Sequence, residues 1–393
     1  MFLSNLGQTY FISLYGYEIR SQFGLSHSSF GGLYAGITLT SAGLLLYVGP
    51  WVDAVRLKLF AAGVILMLLV SCLLMSLANS WWMLLVALLG LRFLGQGLSA
   101  HTAQTAISRS YSSQRIQALS LTQLGYAAGE AVLPSIVVLL VWLLGWQLSW
   151  LGLSLGILAL LPLLIYLANF EPKGSIYTPH TAPSGATRAE VLKDLRFYLI
   201  LPLYTAPAFI LTGLWFHQTQ LISERGWSLG ILATAFTGYA LCKVASGLLC
   251  GAMAHKSTAI HLYPLSSTPL LLGLIPLVVP EWLSAPWAPY YYLGLCGCSV
   301  GLNATLATPM WTELYGTSNL GSIRSLVASV AVISTALSPA LFGLLLDTGW
   351  DFQQLGSFSQ VYICTAVLLY FYSRYLTRNP INTIAADQQS MRS

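Results

Sequence analysis

Charged residues are scarce in this chain. Asp, Glu, Lys and Arg make up 7% of the 393 residues, whereas about 25% is usual for a soluble domain. So few ions cannot cover the water-facing surface of a soluble enzyme of this length. Intrinsic disorder is excluded as well, because 56% of the residues are hydrophobic. The mean hydropathy of +0.71 therefore indicates a polytopic helical membrane protein, and the length accommodates roughly twelve spans of about 20 residues.

Recognisable sites for enzyme chemistry are also lacking. The chain has no Walker-type phosphate loop, and its glycine pairs lie in apolar helices rather than after a strand. No His, Cys, Asp or Glu cluster has the spacing of metal ligands. The six cysteines all fall in apolar runs, where we expect small packing residues: Cys72, Cys242, Cys250, Cys296, Cys298 and Cys364. We therefore predict no enzyme, no cofactor and no metal, and the net charge of +5 requires no nucleic acid.

Twelve apolar runs divide into two groups of six, which predicts an all-α membrane protein of two pseudo-symmetric six-helix bundles. The first run is short and is interrupted by Asn5 and Gln8. We interpret it as a spanning helix whose first turns are missing from this chain. The predicted spans are 1–19, 29–51, 58–78, 81–107, 119–144, 147–169, 197–221, 229–253, 258–279, 287–312, 321–346 and 353–376.

The positions of Lys and Arg predict the orientation of these spans. With the N-terminus inside, thirteen of the seventeen basic residues fall on the cytoplasmic side and only Arg20 and Arg225 fall outside. We therefore expect an inner (plasma) membrane protein with both termini cytoplasmic. The predicted parts are an N-terminal bundle (1–170), a cytoplasmic linker (171–196) with a short amphipathic piece, a C-terminal bundle (197–376) and a cytoplasmic tail (377–393).

An internal repeat supports this division into halves. A shift of 202 residues aligns Gly24-Leu25-Ser26 with Gly226-Trp227-Ser228, and it also aligns Gly49 with Gly251 and Gly95 with Gly297. A single offset that holds across three spans indicates two homologous halves. A parallel repeat of this kind implies two bundles related by an axis along the membrane normal, with a cavity between them at the midplane.

The loop between predicted spans 2 and 3 carries a recognisable motif. Its sequence, Gly49-Pro-Trp-Val-Asp53-Ala-Val-Arg-Leu-Lys58, resembles the signature loop of the major facilitator superfamily. That family has an Arg directly after the Asp, where this chain has Ala54. The resemblance implies that Gly49, Asp53 and Lys58 belong to a conformational gate, from which one charge is missing here.

Two further segments resemble the same superfamily. Residues 92–97 resemble its motif in span 4, with the second glycine shifted by one residue. Residues 313–324, together with Pro339, Gly343 and Asp347, resemble the region around span 11 in bacterial members similar to monocarboxylate transporters. The resemblance covers essentially the whole chain. It implies alternating access by rocking of the two halves.

Ionised residues deep in a span are functional candidates, because each costs about 2.5–3.5 kcal/mol at the bilayer centre on insertion scales. Arg92 lies deep in span 4 and Glu130 deep in span 5. One interpretation is a buried pair that locks spans 4 and 5 together. The other makes Arg92 a binding group for an anion and Glu130 its partner or a proton carrier. A Glu held near a cation, and released when substrate takes that cation, would couple the two binding events.

Lys243, in span 8, has no deep acidic partner within the second half of the sequence. A lysine in a dry bundle would lose its proton, so we favour a water-filled cavity over snorkelling or a purely structural role. Two deep cations against one deep acid favour an anionic substrate. Polar residues on spans 1 and 7, which line the cavity in the resembled family, complete the candidate substrate-binding set: Arg92, Lys243, Gln8, Tyr10, Tyr126, Tyr239, His217 and Gln218, with Glu130 as the proton-coupling group.

These features predict a secondary active transporter that moves a small organic anion, similar to a monocarboxylate, together with protons. Efflux of hydrophobic or drug-like compounds is the alternative that the aromatic residues favour. A membrane scaffold or sensor that moves nothing is an alternative of another class. The expected partners are the substrate, protons and membrane lipid, and we expect a monomer.

Overall fold

The computed structural model describes residues 1–49, 51–110, 115–167, 186–253, 258–279, 285–316 and 320–378. Helices dominate this part of the chain, as predicted. We number the long helical segments as spans 1–12. Spans 2, 3, 5 and 6 are His27–Val48, Leu57–Ser76, Arg115–Leu144 and Trp146–Leu167. Spans 8, 10, 11 and 12 are Leu229–Met253, Ala288–Tyr315, Leu320–Asp347 and Phe352–Arg378.

The remaining spans are interrupted helices. Span 1 comprises Phe2–Gly7, Thr9–Ile12, Ser13–Tyr15 and Gly16–Phe23. Span 4 comprises Trp81–Gly90, the π-helix Leu91–Ser99 and Ala100–Ser110. Span 7 comprises Leu195–Phe216 and Gln218–Arg225, and span 9 comprises Ala259–Leu262, Tyr263–Ser267, Thr268–Gly273 and Ile275–Val278.

Nine spans within the described ranges are long and apolar enough to cross a bilayer, namely spans 2–5, 7–9, 11 and 12. Span 1 is divided into short pieces, and span 10, although 28 residues long, is not among these nine. The apolar part of span 6 that the structure describes, Trp146–Pro162, is shorter than about 20 residues. The all-α class is therefore confirmed, while the count of twelve crossings stays a prediction for spans 1, 6 and 10.

The 202-residue repeat appears in the backbone. Gly24 ends the helix Gly16–Phe23 with a φ of 62°, and Gly226 ends the helix Gln218–Arg225 with a φ of 63°. Both are in the left-handed conformation that favours glycine at a helix C-terminus. Two residues later, the Ser26 hydroxyl accepts a hydrogen bond from the Ser29 N–H, and the Ser228 hydroxyl accepts one from the Ile231 N–H, each at 3.1 Å. In each half, therefore, a left-handed glycine ends one helix and a serine hydroxyl caps the start of the next.

The halves meet at the end of the bundle that contains residues 24–26, 77–80, 226–228 and 348–351. We call this the outer end, following the predicted orientation, and the opposite end the inner end. Spans 2 and 11 approach there so closely that a Cβ on Gly31 would lie 2.3 Å from the Pro339 carbonyl oxygen. The two carboxylate oxygens of Asp347 accept hydrogen bonds from the backbone N–H groups of His27 (3.1 Å) and Ser28 (2.8 Å). These contacts join the halves at the outer end.

The end of the predicted linker docks on the C-terminal half at the inner end. Its helix, Arg188–Lys193, begins with a capping box in which Thr187 and Glu190 bond reciprocally. The hydrogen bond from the Thr187 backbone lowers the pKa of the exposed Glu190 carboxyl. The Ala186 N–H donates to the Tyr315 carbonyl at 2.9 Å, and the Tyr315 hydroxyl donates to Asp194 at 3.1 Å. The amphipathic piece expected in this segment is therefore a helix anchored beside span 10.

Candidate substrate-binding site

A bidentate ion pair joins the two halves of the molecule. The Lys243 Nζ of span 8 lies 2.9 Å from Oε1 and 2.8 Å from Oε2 of Glu130 in span 5. The Glu130 side chain is 3% exposed and the Lys243 side chain is 20% exposed. Neither charge is isolated, because each neutralises the other. The acid that neutralises it comes from the first half of the chain.

Two tyrosine rings flank the ammonium group. Its Nζ lies 4.6 Å from the ring centroid of Tyr126 and 5.7 Å from that of Tyr239. Both distances fall within the range of a cation–π interaction. Tyr126 precedes Glu130 by four residues and Tyr239 precedes Lys243 by four, so each ring lies on the same helix face as the ion that follows it. The ammonium group is thereby held between two aromatic faces and one carboxylate.

Span 1 reaches this site through Asn5. The Asn5 amide donates hydrogen bonds to the carbonyls of Phe2 (2.9 Å) and Tyr126 (3.1 Å), and its Oδ1 accepts one from the Tyr10 hydroxyl at 2.7 Å. Gly129 permits this approach, because a Cβ there would overlap the Asn5 side chain. Gly129 is one glycine of a G-x-x-x-G pair in span 5, and its role fits the close helix contact typical of that spacing.

An aromatic cluster connects the ion pair to a cavity. Tyr10 packs against Phe236 and Trp215 with ring centroids 5.2 and 6.4 Å apart, and Trp215 lies 5.1 Å from Tyr239. Trp215 and Tyr239 also line a cavity of about 250 Å³. Its other lining residues come from spans 7, 10 and 11: Tyr204, Pro207, Ala208, Leu211, Thr212, Val300, Asn303, Ala304 and Ala331. The site therefore has open, largely apolar space beside it.

Arg92 does not pair with Glu130, contrary to one of our two interpretations. Its Nη1 donates to the Gly7 carbonyl at 3.0 Å, and its guanidinium lies 4.8 Å from the ring centroid of Tyr34. Its Nε is buried and has no hydrogen-bond partner among the residues that the structure describes. The reason is that span 1 lies between Arg92 and Glu130. Its Gly7 carbonyl accepts one of the hydrogen bonds that the guanidinium can donate. Arg92 therefore joins spans 1, 2 and 4 within the N-terminal half.

Three other predicted site residues lie on spans 1 and 7. Gln8 is half-buried at the break that follows Phe2–Gly7. Gln218 is buried, and its amide donates at 2.8 Å to both the Tyr10 carbonyl and the Ser13 hydroxyl. His217 is buried beside His27 and the Pro339 carbonyl. Gln218 and His217 thus belong to the contact between the halves, Gln218 beside Tyr10 and His217 beside His27.

The predicted gate lies at the inner end. Gly49 follows span 2 directly, and its carbonyl lies 3.2 Å from the Nε2 of His101 in span 4. Lys58 is in the first turn of span 3. The side chain of Asp53 lies outside the part of the chain whose side chains the structure describes. The His101 contact therefore joins spans 2 and 4 at the inner end.

Several residues of the site were not predicted as members. The Gly7 carbonyl and the Tyr34 ring hold Arg92, while Asn5 and Phe236 surround Tyr10. Asn5 carried a detectable signal, because a lone Asn in an apolar run requires hydrogen-bond partners. The Gly7 carbonyl could not have been predicted in this way, because every residue has a backbone carbonyl. Among the residues that the structure describes, no group of three or more His, Cys, Asp or Glu side chains could hold a metal ion.

Comparison with known proteins gives a family and a fold. A family model described as Major Facilitator Superfamily matches residues 1–339. Two crystal structures of a bacterial homologue of the human lysosomal transporter Spinster, both inward-facing, resemble this chain. The unoccupied one has a TM-score of 0.65 and 16% identity, and the occupied one has a TM-score of 0.69 and 15% identity. Each covers 95% of this chain and 94% of its own. A search of curated proteins finds no match.

Proposed function

This chain belongs to the major facilitator superfamily, and from that premise we propose that it moves a small organic anion together with a proton by alternating access. The membership makes it a membrane transporter rather than an enzyme. We further propose that the anion is a monocarboxylate, in keeping with the resemblance of residues 313–324 to the monocarboxylate-transporter-like subgroup.

The Lys243–Glu130 ion pair is the observation that carries this proposal. Its two members lie on different halves of the molecule, and the halves must separate around a central site during alternating access. A substrate carboxylate can replace Glu130 as the partner of Lys243, because it offers the same two acceptor oxygens. Lys243 is the more exposed of the two side chains and lies next to Tyr239, which lines the cavity. An anion would therefore approach from that side.

Proton coupling follows from the burial of Glu130. When a substrate carboxylate takes Lys243, the Glu130 carboxylate loses its counter-ion while it remains 3% exposed. A buried carboxylate without a cation favours its protonated form. One anion and one proton then enter together, so the net charge of the site is unchanged. The loaded site carries no extra charge across the low-dielectric interior, which is the physical advantage of symport.

Arg92 provides a second positive charge near the same region. It is held by Gly7 and Tyr34, and its Nε has no hydrogen-bond partner within the described residues. We propose that it orients span 1, which carries Tyr10 and Gln8, and adds to the positive potential of the site. The proposed substrate-binding group is thus Lys243 with Tyr10, Tyr126 and Tyr239, supported by Arg92.

For the topology, we propose a monomer in the plasma membrane with both termini cytoplasmic. The bundles 1–170 and 197–376 are the two moving bodies, and the segment 171–196 joins them on the cytoplasmic side. Gly49, Asp53 and Lys58 are proposed to close the inner end in the opposite state. The distribution of basic residues supports this orientation.

Uptake of labelled lactate and pyruvate into proteoliposomes under an imposed pH gradient tests the function. We expect uptake that depends on the pH gradient in the wild type. Lys243→Ala should lower it at least tenfold, because a hydrogen bond to a charged group contributes about 1.5–3 kcal/mol. Glu130→Gln should abolish the response to the pH gradient while counterflow of labelled against unlabelled substrate continues. Lys193→Ala, which removes an exposed linker cation, is the matched control and should transport normally.

If Lys243→Ala and Arg92→Ala both leave uptake unchanged, the anion proposal is wrong. If counterflow in Glu130→Gln is lost to the same extent as in Lys243→Ala, Glu130 is part of the binding site only. A folded wild-type protein that accumulates neither acid would contradict the monocarboxylate proposal.

The cavity favours one other candidate, which is efflux of hydrophobic compounds. Aromatic and aliphatic side chains, including Tyr204, Trp215 and Leu211, line most of its wall. Such a substrate would bind without displacing Glu130 from Lys243. Stabilisation of the purified protein by a lipophilic cation, retained in Lys243→Ala, would support efflux. Stabilisation by carboxylates that is lost in Lys243→Ala would support anion transport.

A further inference from the structure

Two histidines from opposite halves face each other at the outer end. The Nδ1 of His27, the first residue of span 2, lies 3.2 Å from the Nδ1 of His217, which follows the first helix of span 7. The ring centroids are 5.2 Å apart. The Nε2 of His217 lies 2.9 Å from the Pro339 carbonyl oxygen of span 11. This histidine pair therefore connects spans 2, 7 and 11 where the halves meet.

The hydrogen-bond partners determine which nitrogens carry protons. A carbonyl only accepts, so the Nε2 of His217 must donate to Pro339. In a neutral imidazole the other nitrogen is then an acceptor, and the Nδ1 of a neutral His217 accepts a hydrogen bond from the Nδ1 of His27. His27 can be neutral or cationic in this arrangement, because its Nε2 is not involved. A cationic His217 fits only when His27 is neutral and carries its proton on Nε2, so that the Nδ1 of His27 accepts the hydrogen bond. The closed pair therefore holds at most one extra proton, because two cationic rings would place two N–H groups against each other.

Two charged side chains act on the pair from neighbouring spans. Arg20 of span 1 opposes a positive charge on either histidine, whereas Asp347 of span 11 favours one. The Asp347 carboxylate also accepts hydrogen bonds from the backbone of His27 and Ser28. The pair thus lies within the contact that closes the outer end. His217 is 2% exposed, so water can reach its Nδ1 only when the two rings separate.

We propose that the His27–His217 pair is a proton-binding latch of the outer end, separate from the proton site at Glu130. The closed outer end requires at least one neutral ring, and opening exposes the Nδ1 atoms of both rings to water, where the pair takes up one further proton. Lower pH on the outer side therefore favours the open state. In an uptake transporter, a low outside pH would therefore open the empty site toward the side from which substrate and protons enter.

The substitution His27→Asn tests this latch without removing its hydrogen bond. The Asn amide group lies at the same number of bonds from the backbone as the Nδ1 of His27. Its NH₂ can donate to a neutral His217, and after rotation its oxygen can accept from a protonated His217. The conflict between two cationic rings, which forces them apart, is thereby removed. We expect this variant to close at both neutral and acid pH.

The measurement is the distance between spin labels at Leu77 and Ser223, exposed positions at the outer end of opposite halves. The labels are placed in full-length protein in lipid nanodiscs, with the six native cysteines replaced by alanine. In the protein without further substitution, the ratio of open to closed molecules should rise with acidification, by up to about tenfold per pH unit for one proton taken up. His27→Asn should show less than half of that rise. His261→Asn, a histidine at the inner end, is the control and should respond like the unsubstituted protein.

Glu130→Gln separates the latch from the proposed transport site. It should retain the acid response of the outer end even if it abolishes proton-coupled uptake, so the two proposals can fail independently. The latch is wrong if His27→Asn opens with acid as strongly as the unsubstituted protein, or if acid produces no opening at all. Loss of the response in Glu130→Gln would assign the proton to Glu130 and would also overturn the latch.

Discussion

At the scale of residues, Lys243 and Glu130 each make the other tolerable in an apolar interior. The exposure of the two side chains differs, since Lys243 is 20% exposed and Glu130 is 3% exposed. A lysine that is left alone can extend its ammonium group toward water. A carboxylate that is left alone has no such route and must take up a proton. The two single substitutions at this pair are therefore not equivalent.

We predict that Lys243→Met destabilises the protein more than Glu130→Met does. Breaking a buried pair by removal of one partner costs about 3–5 kcal/mol, and the partly exposed lysine should reduce that cost in Glu130→Met. The double substitution should recover most of the stability, because no unpaired charge remains. Thermal unfolding in detergent measures the differences. The loss in Lys243→Met should shrink at acid pH, where Glu130 can be neutral. Two equal single effects that add in the double variant would contradict the pairing.

At the scale of elements, glycines determine how closely the spans approach one another. Span 1 crosses span 4 at Gly7 and Gly95, where a Cβ on Gly95 would lie 2.8 Å from the Gly7 backbone nitrogen. The same crossing presents the Gly7 carbonyl to Arg92. Gly97, two residues further along the π-helix, has no neighbour closer than 3.7 Å to a built Cβ. These two glycines therefore form a matched pair for substitution.

Gly95→Ala should force span 1 away from span 4 and should remove the acceptor from Arg92. Overpacking of this kind costs about 1–3 kcal/mol, and we expect a lower melting temperature together with weaker uptake. Gly97→Ala gives the same change in helix propensity without the clash, so it should leave both measurements near wild type. Similar behaviour of the two variants would mean that the crossing of spans 1 and 4 has little influence on the site.

At the scale of the whole molecule, the balance between open and closed states depends on contacts that join the halves. Asp347 and Asp351 both accept backbone N–H groups at the start of a helix. Asp347 of span 11 accepts from His27 and Ser28 of span 2, which belongs to the other half. Asp351 accepts from Gln354 at 2.8 Å, in the same half. Only the first of these contacts is lost when the outer end opens.

Asp347→Ala should therefore shift the molecule toward the open outer end, whereas Asp351→Ala should not. A lost helix cap costs about 0.5–2 kcal/mol, which corresponds to a several-fold change in the ratio of open to closed molecules. The spin-label distance between Leu77 and Ser223 measures this ratio, and the melting temperature checks that both variants lose a comparable amount of stability. An equal shift in both variants would show that Asp347 acts only as a cap.

The sequence by itself determined the class, the positions of most helices and the repeat. Hydropathy is a local property, since each span must present an apolar surface to lipid wherever its neighbours lie. Gly24 and Gly226 were likewise identifiable, because a left-handed helix end favours glycine whatever surrounds it. Lys243 and Glu130 were recognised as candidates for the same reason: the cost of burying an ion depends on its depth in a span.

Only the tertiary structure decided which residues meet. Glu130 pairs with Lys243, 113 residues away, and not with Arg92 in the neighbouring span. Arg92 instead bonds to the Gly7 backbone, a partner that has no side chain to recognise. His217 contacts His27 and Gln218 bonds to Tyr10, in each case across the two halves. The physical reason is that an ion requires some partner but does not specify it. The partner depends on how two helices cross, and that depends on the packed shapes of many residues together.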